Sequence, residues 1–204
     1  MTQTQWRQRV IKPAVWVACL TPLALLIYHF VRNELSANPV EDITNTTGIW
    51  TLRFVVLTLA ITPLRSLTGV NQLINYRRLI GLFAFFYGSV HFTIIFFLDH
   101  QFDVAAMWQD VLKRRYITAG FTGFVLMIPL ALTSTTGWIR RLGGKRWNLL
   151  HKLIYITAMA GVLHYFWKVK LDATNPIYYG VIVAALLGFR VWSAYSKKQL
   201  RRVS

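Results

Sequence analysis

Six long apolar runs, each with few charged side chains, constrain this 204-residue chain more than any other feature. The hydrocarbon core of a bilayer is about 30 Å thick, and roughly 20 helical residues cross it. Because backbone groups in lipid must bond within their own segment, each run is predicted to be a helix. The runs lie near residues 13–31, 48–64, 79–98, 117–133, 149–167 and 177–195. The sequence therefore predicts an all-α integral membrane protein, a six-helix bundle that forms a single domain over residues 1–204.

The amino-acid composition supports a membrane protein and excludes other classes. Hydrophobic residues make up 55% of the chain and charged residues 15%, whereas a soluble domain carries roughly a quarter of its residues as charges. Cys19 is the single cysteine, so we expect neither an internal disulfide nor a cysteine-based metal site. Basic residues before the first run are typical of a signal peptide, but no small-residue cleavage site follows. We therefore expect a retained first helix.

Charged residues are divided between two alternating sets of loops. Lysine and arginine concentrate in the N-terminal segment and near residues 65–78, 134–148 and 196–204. All seven acidic residues lie in the other loops: Glu34, Glu41, Asp42, Asp99, Asp103, Asp110 and Asp172. Because basic loops stay in the cytoplasm, both termini are predicted to be cytoplasmic. The basic run Lys113–Arg115 conflicts with this orientation. The net charge of +16 is then explained by topology and contact with anionic lipid, and nucleic-acid binding is not expected.

Two histidines lie inside apolar runs at similar predicted depth. His91 is in the outer part of the third run and His164 in the outer part of the fifth, and these helices run in the same direction. Ionisable side chains inside a membrane are costly and usually functional. Two facing imidazoles suit a planar metal cofactor, and haem, whose iron takes one axial ligand on each face, fits best. The alternative is that each histidine only hydrogen-bonds a neighbouring helix.

His151 opens the fifth predicted helix, 13 residues before His164. That separation is about 20 Å along a helix, which would place two cofactors one above the other. The two side chains would however point about 140° apart on a regular helix, unless the helix bends or unwinds near Gly161. A solvated histidine at the cytoplasmic boundary is the alternative, and the spacing alone does not decide between them.

The run LGGKRWNLLHKLIYITAMAGVLHYFW, together with His91 and the six-span layout, resembles the ferric-reductase-like transmembrane family. Within it, the chain is most similar to haem-binding membrane subunits of bacterial periplasmic methionine sulfoxide reductase systems. In relatives with two stacked haems, two histidines of helix three face two of helix five. His91 and His164 match the outer pair, and His151 matches the inner ligand of helix five. Its partner position is Arg77, whose guanidinium does not bind iron. The resemblance thus implies one bis-histidine haem b, with a second possible only through an unusual ligand.

The resemblance also implies an electron-transfer subunit of the bacterial inner membrane rather than a catalytic subunit. Electrons are expected to come from the quinone pool or a cytosolic flavin reductase, because no flavin and nicotinamide domain follows the sixth run. They are expected to pass to a periplasmic molybdenum-cofactor subunit that reduces methionine sulfoxide in oxidised proteins. An FMN site is implied by the resemblance alone, since no phosphate-loop or dinucleotide fingerprint is present. Arg77 and Arg78 could contact haem propionates or the flavin, although positive-inside topology also accounts for them.

Three alternatives stay open from the sequence. A stand-alone transmembrane ferric reductase differs from the electron-transfer subunit only through the overall resemblance. A small transporter using intramembrane histidines and Arg53 would be expected to carry acids in its spans, which are almost absent here. A non-catalytic membrane scaffold would leave the paired histidines without a purpose.

Overall fold

The computed structural model describes residues 6–203, and every regular element in that range is helical. Short π-helical turns cover Arg7–Ile11 and Ile95–Asp99, and a 3-10 turn covers Asn71–Leu73. The longer helices are α1 (Lys12–Val31), α2 (Pro39–Thr68), α3 (Ile74–Ile94), α4 (Val104–Lys113), α5 (Arg115–Leu132), α6 (Thr136–Leu150), α7 (Leu153–Lys168) and α8 (Thr174–Val203).

The helices confirm the predicted all-α membrane fold. Five of them are long and apolar enough to cross a bilayer, namely α1, α2, α3, α5 and α8. The pair α6 and α7 provides a sixth span when its two bent parts are taken together, with a bend of 41° between them. The chain is thus a multi-pass membrane protein.

The predicted fifth span, 149–167, is correct only in part. The chain leaves the helical path at His151 and Lys152, and α7 begins at Leu153. His151 therefore lies at the end of α6 and not on the same helix as His164. The bend lies there and not near Gly161, where α7 is continuous.

Two segments predicted as loops are helical. The basic segment near 134–148 forms most of α6, with a break at Gly143, whose φ of 72° favours glycine. The segment after the third span contains α4, whose Asp110 accepts from Arg114 at 2.9 Å. One residue of the basic run that conflicted with the charge pattern is therefore paired with a carboxylate.

Local sequence signals set the ends of α2. The Asn38 side chain accepts a hydrogen bond from the Glu41 amide, and Pro39 occupies the first turn, where a missing N–H costs nothing. At the other end Gly69 has a φ of 71° and closes the helix with its amide bonded to the Arg65 carbonyl.

Two antiparallel pairs, α2 with α3 and α5 with α7, form the largest helix contacts of the bundle. Their shared core contains Phe54, Leu59, Phe83, Tyr87 and Ala158. Because consecutive spans alternate in direction, the acidic residues collect at one end, called the acidic end below. The end that carries the α2–α3 connection and α6 is called the basic end.

Tyr87 hydrogen-bonds the turn of α1 that contains Pro22. Pro22 disturbs this helix, and the Leu23 amide donates to the Tyr87 hydroxyl at 3.1 Å. The same hydroxyl donates to the Cys19 carbonyl at 2.9 Å. Leu23 and Cys19 are a donor and acceptor pair of the regular helix, so the tyrosine oxygen bonds both of these backbone groups and joins α1 to α3.

We expect Tyr87→Phe to destabilise the bundle, because it leaves an amide and a carbonyl without partners in an apolar interior. The cost is about 1–3 kcal/mol for each unsatisfied group. Thermal unfolding of the detergent-solubilised protein measures this loss. Tyr178→Phe is the matched control, because Tyr178 is exposed and should keep the wild-type midpoint. Equal midpoints for the two variants would contradict the role given to Tyr87.

Candidate metal-binding histidine pair

His91 and His164 lie side by side near the acidic end. His91 is in the last turn of α3, and His164 is near the end of α7. Their ring centroids are 6.2 Å apart and their ring planes make an angle of 80°. Both residues are partly buried. The structure thus brings together the two histidines that the sequence pairs.

Each of these histidines is held through Nδ1 by a backbone carbonyl of a neighbouring helix. Nδ1 of His91 donates to the carbonyl of Thr44 on α2 at 2.9 Å. Nδ1 of His164 donates to the carbonyl of Tyr116 on α5 at 2.7 Å. A carbonyl only accepts, so both rings carry their proton on Nδ1 and leave Nε2 with a free lone pair. No hydrogen bond to either Nε2 is found within residues 6–203.

A glycine makes room for each ring, four residues after the accepting carbonyl. A Cβ placed on Gly48 of α2 would lie 3.0 Å from Cε1 of His91. One placed on Gly120 of α5 would lie only 2.6 Å from Nδ1 of His164. The two imidazoles are therefore positioned by the same device: a carbonyl that fixes the ring and a glycine that admits it.

The spacing of the pair fits two ligands of one metal ion. Imidazole nitrogens bind metals at about 2 Å and the ring centre lies about 1 Å behind the nitrogen, so opposed rings have centres about 6 Å apart. The measured 6.2 Å matches this value. Within the described part of the chain, no three His, Cys, Asp or Glu side chains form a metal-binding group. Two histidines suit a metal whose other ligands belong to a planar cofactor.

His151 lies at the basic end and has different surroundings. Its ring stacks on Trp147 with centroids 3.9 Å apart, and Nε2 is 3.1 Å from Oγ1 of Thr133. That hydroxyl donates its own proton to the Pro129 carbonyl at 2.6 Å, so it accepts from Nε2–H of His151. Unlike the histidine pair, His151 has its Nε2 occupied, and only Nδ1 could meet a metal.

Arg77 and Arg78 differ in their placement. Arg77 is partly buried, whereas Arg78 is exposed. Arg77 lies at the basic end, in the electrostatic surroundings of His151, Arg190 and Arg65. Of the two arginines, Arg77 is thus the one that lies partly inside the bundle.

Two cations near these sites were not identified from the sequence. Arg190 of α8 donates to the Leu59 carbonyl at 2.8 Å and to the Tyr155 hydroxyl at 3.3 Å. Lys168 ends α7, one turn after His164, and contacts the side chain of Asn45. The sequence did contain a signal for each cation. Arg190 is a single arginine inside the sixth apolar run, and Lys168 follows a candidate ligand by four residues.

The fold defines a multi-pass helical membrane protein with a partly buried histidine pair, and comparison with known proteins places it in a family. The chain belongs to the ferric reductase like transmembrane component family, whose model matches residues 47–162. The matched range contains His91 and His151, and His164 lies two residues beyond it.

The chain is also similar to proteins named protein-methionine-sulfoxide reductase heme-binding subunit MsrQ. The protein from Herminiimonas arsenicoxydans is 52% identical over 93% of this chain and 88% of its own length. Those from Ralstonia nicotianae and Xanthomonas campestris pv. campestris are 48% and 47% identical, over 90% and 92% of this chain and 86% and 88% of their own lengths. The resemblance predicted from the sequence is confirmed.

We expect Gly120→Ala to displace His164 and to reduce the binding of a haem held by the pair. The new methyl group meets a ring that is already fixed by the Tyr116 carbonyl. Haem absorbance per mole of purified protein measures the effect, and we expect a several-fold loss. Gly48→Ala should be milder, since its closest approach to His91 is longer.

The matched control for these variants is Gly188→Ala. A Cβ on Gly188 has open space around it, so haem binding should stay at the wild-type value. Normal haem content in Gly120→Ala would show that the glycine does not position His164.

Proposed function

We propose that this protein is a haem b electron-transfer subunit whose axial ligands are His91 and His164. The observation that carries this proposal is the histidine pair itself: two rings 6.2 Å apart, each with Nδ1 bonded to a carbonyl and Nε2 free. The relatives named as heme-binding subunits support the same cofactor.

The chain's own residues position the ligands and limit their chemistry. A haem with two imidazole ligands supplies one-electron transfer, because its iron keeps no open position for oxygen or a substrate. The carbonyls of Thr44 and Tyr116 select the tautomer and increase the basicity of the rings. Gly48 and Gly120 let α2 and α5 approach closely.

The division of charge supports an orientation in the bacterial inner membrane. Basic loops stay in the cytoplasm, so the basic end and both termini are proposed to be cytoplasmic and the acidic end periplasmic. The histidine pair is then near the periplasmic surface. This position suits delivery of electrons to a periplasmic partner, and the whole chain acts as one domain.

The proposed acceptor is a periplasmic molybdenum-cofactor subunit that reduces methionine sulfoxide and so repairs oxidised proteins. The names of the relatives support a methionine sulfoxide reductase as the partner. The proposed donor is the quinone pool or a cytosolic flavin reductase, with electrons entering at the basic end.

The basic end offers a place for the electron-entry cofactor. Arg77, Arg190 and His151 lie there, and no acidic residue occurs between Asp42 and Asp99 or between Asp110 and Asp172. An anionic group, such as an FMN phosphate or a propionate of a second haem, would complement these cations. A second haem bound by His151 would require Nδ1 as its ligand atom.

The alternative functions draw less support from the contacts. Arg53, which a histidine-using transporter would employ as a relay, donates to the Tyr179 hydroxyl at 3.0 Å and lies 4.6 Å from the Trp50 ring centre. These two contacts engage its guanidinium with α8 and with the Trp50 ring. A stand-alone ferric reductase would use the same histidine pair, so an experiment must separate it.

Electron transfer in lipid nanodiscs tests the proposed function. The protein is reduced anaerobically, in one arm by a soluble quinol and in another by NADH with a flavin reductase, and the faster arm identifies the donor. With a catalytic amount of the molybdenum subunit, far below the amount of haem, we expect complete haem reoxidation only when methionine sulfoxide is also added. Reoxidation by ferric citrate but not by this pair would contradict the proposal and favour a ferric reductase.

The same assay shows whether the loss of a proposed ligand slows electron transfer more than the loss of another histidine. We expect His164→Ala to lower the rate of methionine formation at least tenfold, because the electron carrier loses an axial ligand. His29→Ala is the control, since His29 is exposed and pairs with Glu34 at the acidic end. It should keep the wild-type rate.

A further inference from the structure

Lys168 follows His164 by four residues, and it lies on the same face of α7 as that histidine. It is the last residue of that helix, and residues four apart on a helix are neighbours on its surface. Its side chain is partly enclosed. At this spacing on a helix, the Cβ atoms of the two residues are about 5–6 Å apart.

The Lys168 ammonium reaches across to α2. It donates to the side-chain oxygen of Asn45, the residue that follows Thr44. The Thr44 carbonyl in turn holds His91. Lys168 therefore links the two candidate ligands at the acidic end. It lies on the helix of His164, and it contacts Asn45, the neighbour of the residue that holds His91.

Carboxylates at this end do not pair directly with Lys168. Glu41 and Asp99 act on it from a distance, and the ion pairs found among the described residues use other cations. The nearest partner of the ammonium is the neutral Asn45 amide. A positive charge thus stays close to the pair without a carboxylate in contact.

We infer that Lys168 raises the reduction potential of the cofactor held between His91 and His164, and so favours arrival of the electron at the acidic end. The inference rests on the proposed function, since it requires a redox cofactor at the pair. Reduction adds one electron and no proton, so it lowers the charge of the site by one. A fixed positive charge nearby stabilises the reduced form more than the oxidised form. Lys168 thus acts through the electrostatic field of its ammonium group and is not a ligand.

A redox titration of the purified haem protein, with dithionite as reductant and ferricyanide as oxidant, tests this inference. At a fixed ambient potential we expect the ratio of reduced to oxidised haem to fall about tenfold in Lys168→Gln, which equals about 59 mV for a one-electron couple. Lys168→Arg keeps the charge and should stay close to the wild-type ratio. Haem content per chain, recorded for each variant, shows that the site is still occupied.

Two further variants separate charge from packing. Asn45→Asp places a carboxylate against the ammonium, so we expect it to lower the ratio while the lysine remains. It also serves as the test if Lys168→Gln does not fold. Lys170→Gln removes an exposed lysine of the following loop and should change the ratio less than twofold.

The outcomes distinguish this inference from the proposed function. Haem-loaded Lys168→Gln and Asn45→Asp proteins that titrate like wild type would overturn the role of Lys168 and leave the electron-transfer function intact. A wild-type protein that binds no haem would overturn both. Lowered ratios in these two variants, with rescue by arginine, would support the inference.

Discussion

The hydrogen bonds from His91 and His164 to backbone carbonyls are the interaction on which the site depends. A helix in lipid already uses its carbonyls for its own ladder, so a carbonyl that also accepts from a side chain is shared between donors. Thr44 and Tyr116 provide such carbonyls near the start of α2 and α5. The bonds fix both tautomers, and glycines 48 and 120 allow the close approach. The two antiparallel helix pairs then bring the two rings within 6.2 Å of each other. The sequence also allowed the alternative that each histidine only hydrogen-bonds a neighbouring helix. Those hydrogen bonds are present, but they use Nδ1 and leave Nε2 of each ring for the proposed metal.

Hydropathy and charge predict most of the fold, because crossing a bilayer leaves the backbone few options. The first, second, third, fourth and sixth spans follow directly from the apolar runs. The fifth does not, because composition cannot show that the chain bends at His151 and Lys152. The amphipathic helix α4 escapes a search for long apolar segments, since it is only 10 residues long. The insertion of Tyr87 into α1 depends on two helices far apart in sequence, and no local pattern indicates it.

The candidate site, like the fold, has features that the sequence predicts and others that it does not. Depth along a helix can be read from position in an apolar run, and it predicts the proximity of His91 and His164, whose rings are 6.2 Å apart. Direction around the helix is harder to predict. The angle of about 140° between His151 and His164 assumed one regular helix, whereas His151 terminates a different one. The anchoring carbonyls could not be predicted, because a backbone acceptor has no sequence signature. Lys168 and Arg190 were visible as isolated charges, but their significance comes from Asn45, Leu59 and Tyr155, which belong to other helices.

Haem quantification with a reduced-minus-oxidised absorption spectrum tests the central claim most directly. The protein is expressed with adequate haem supply and compared with His91→Ala and His151→Ala. The account predicts a low-spin b-type spectrum in the wild type, its loss in His91→Ala, and its retention in His151→Ala, because only the pair has both Nε2 atoms free. A folded wild-type protein without haem, or an unchanged spectrum in His91→Ala, would contradict the account.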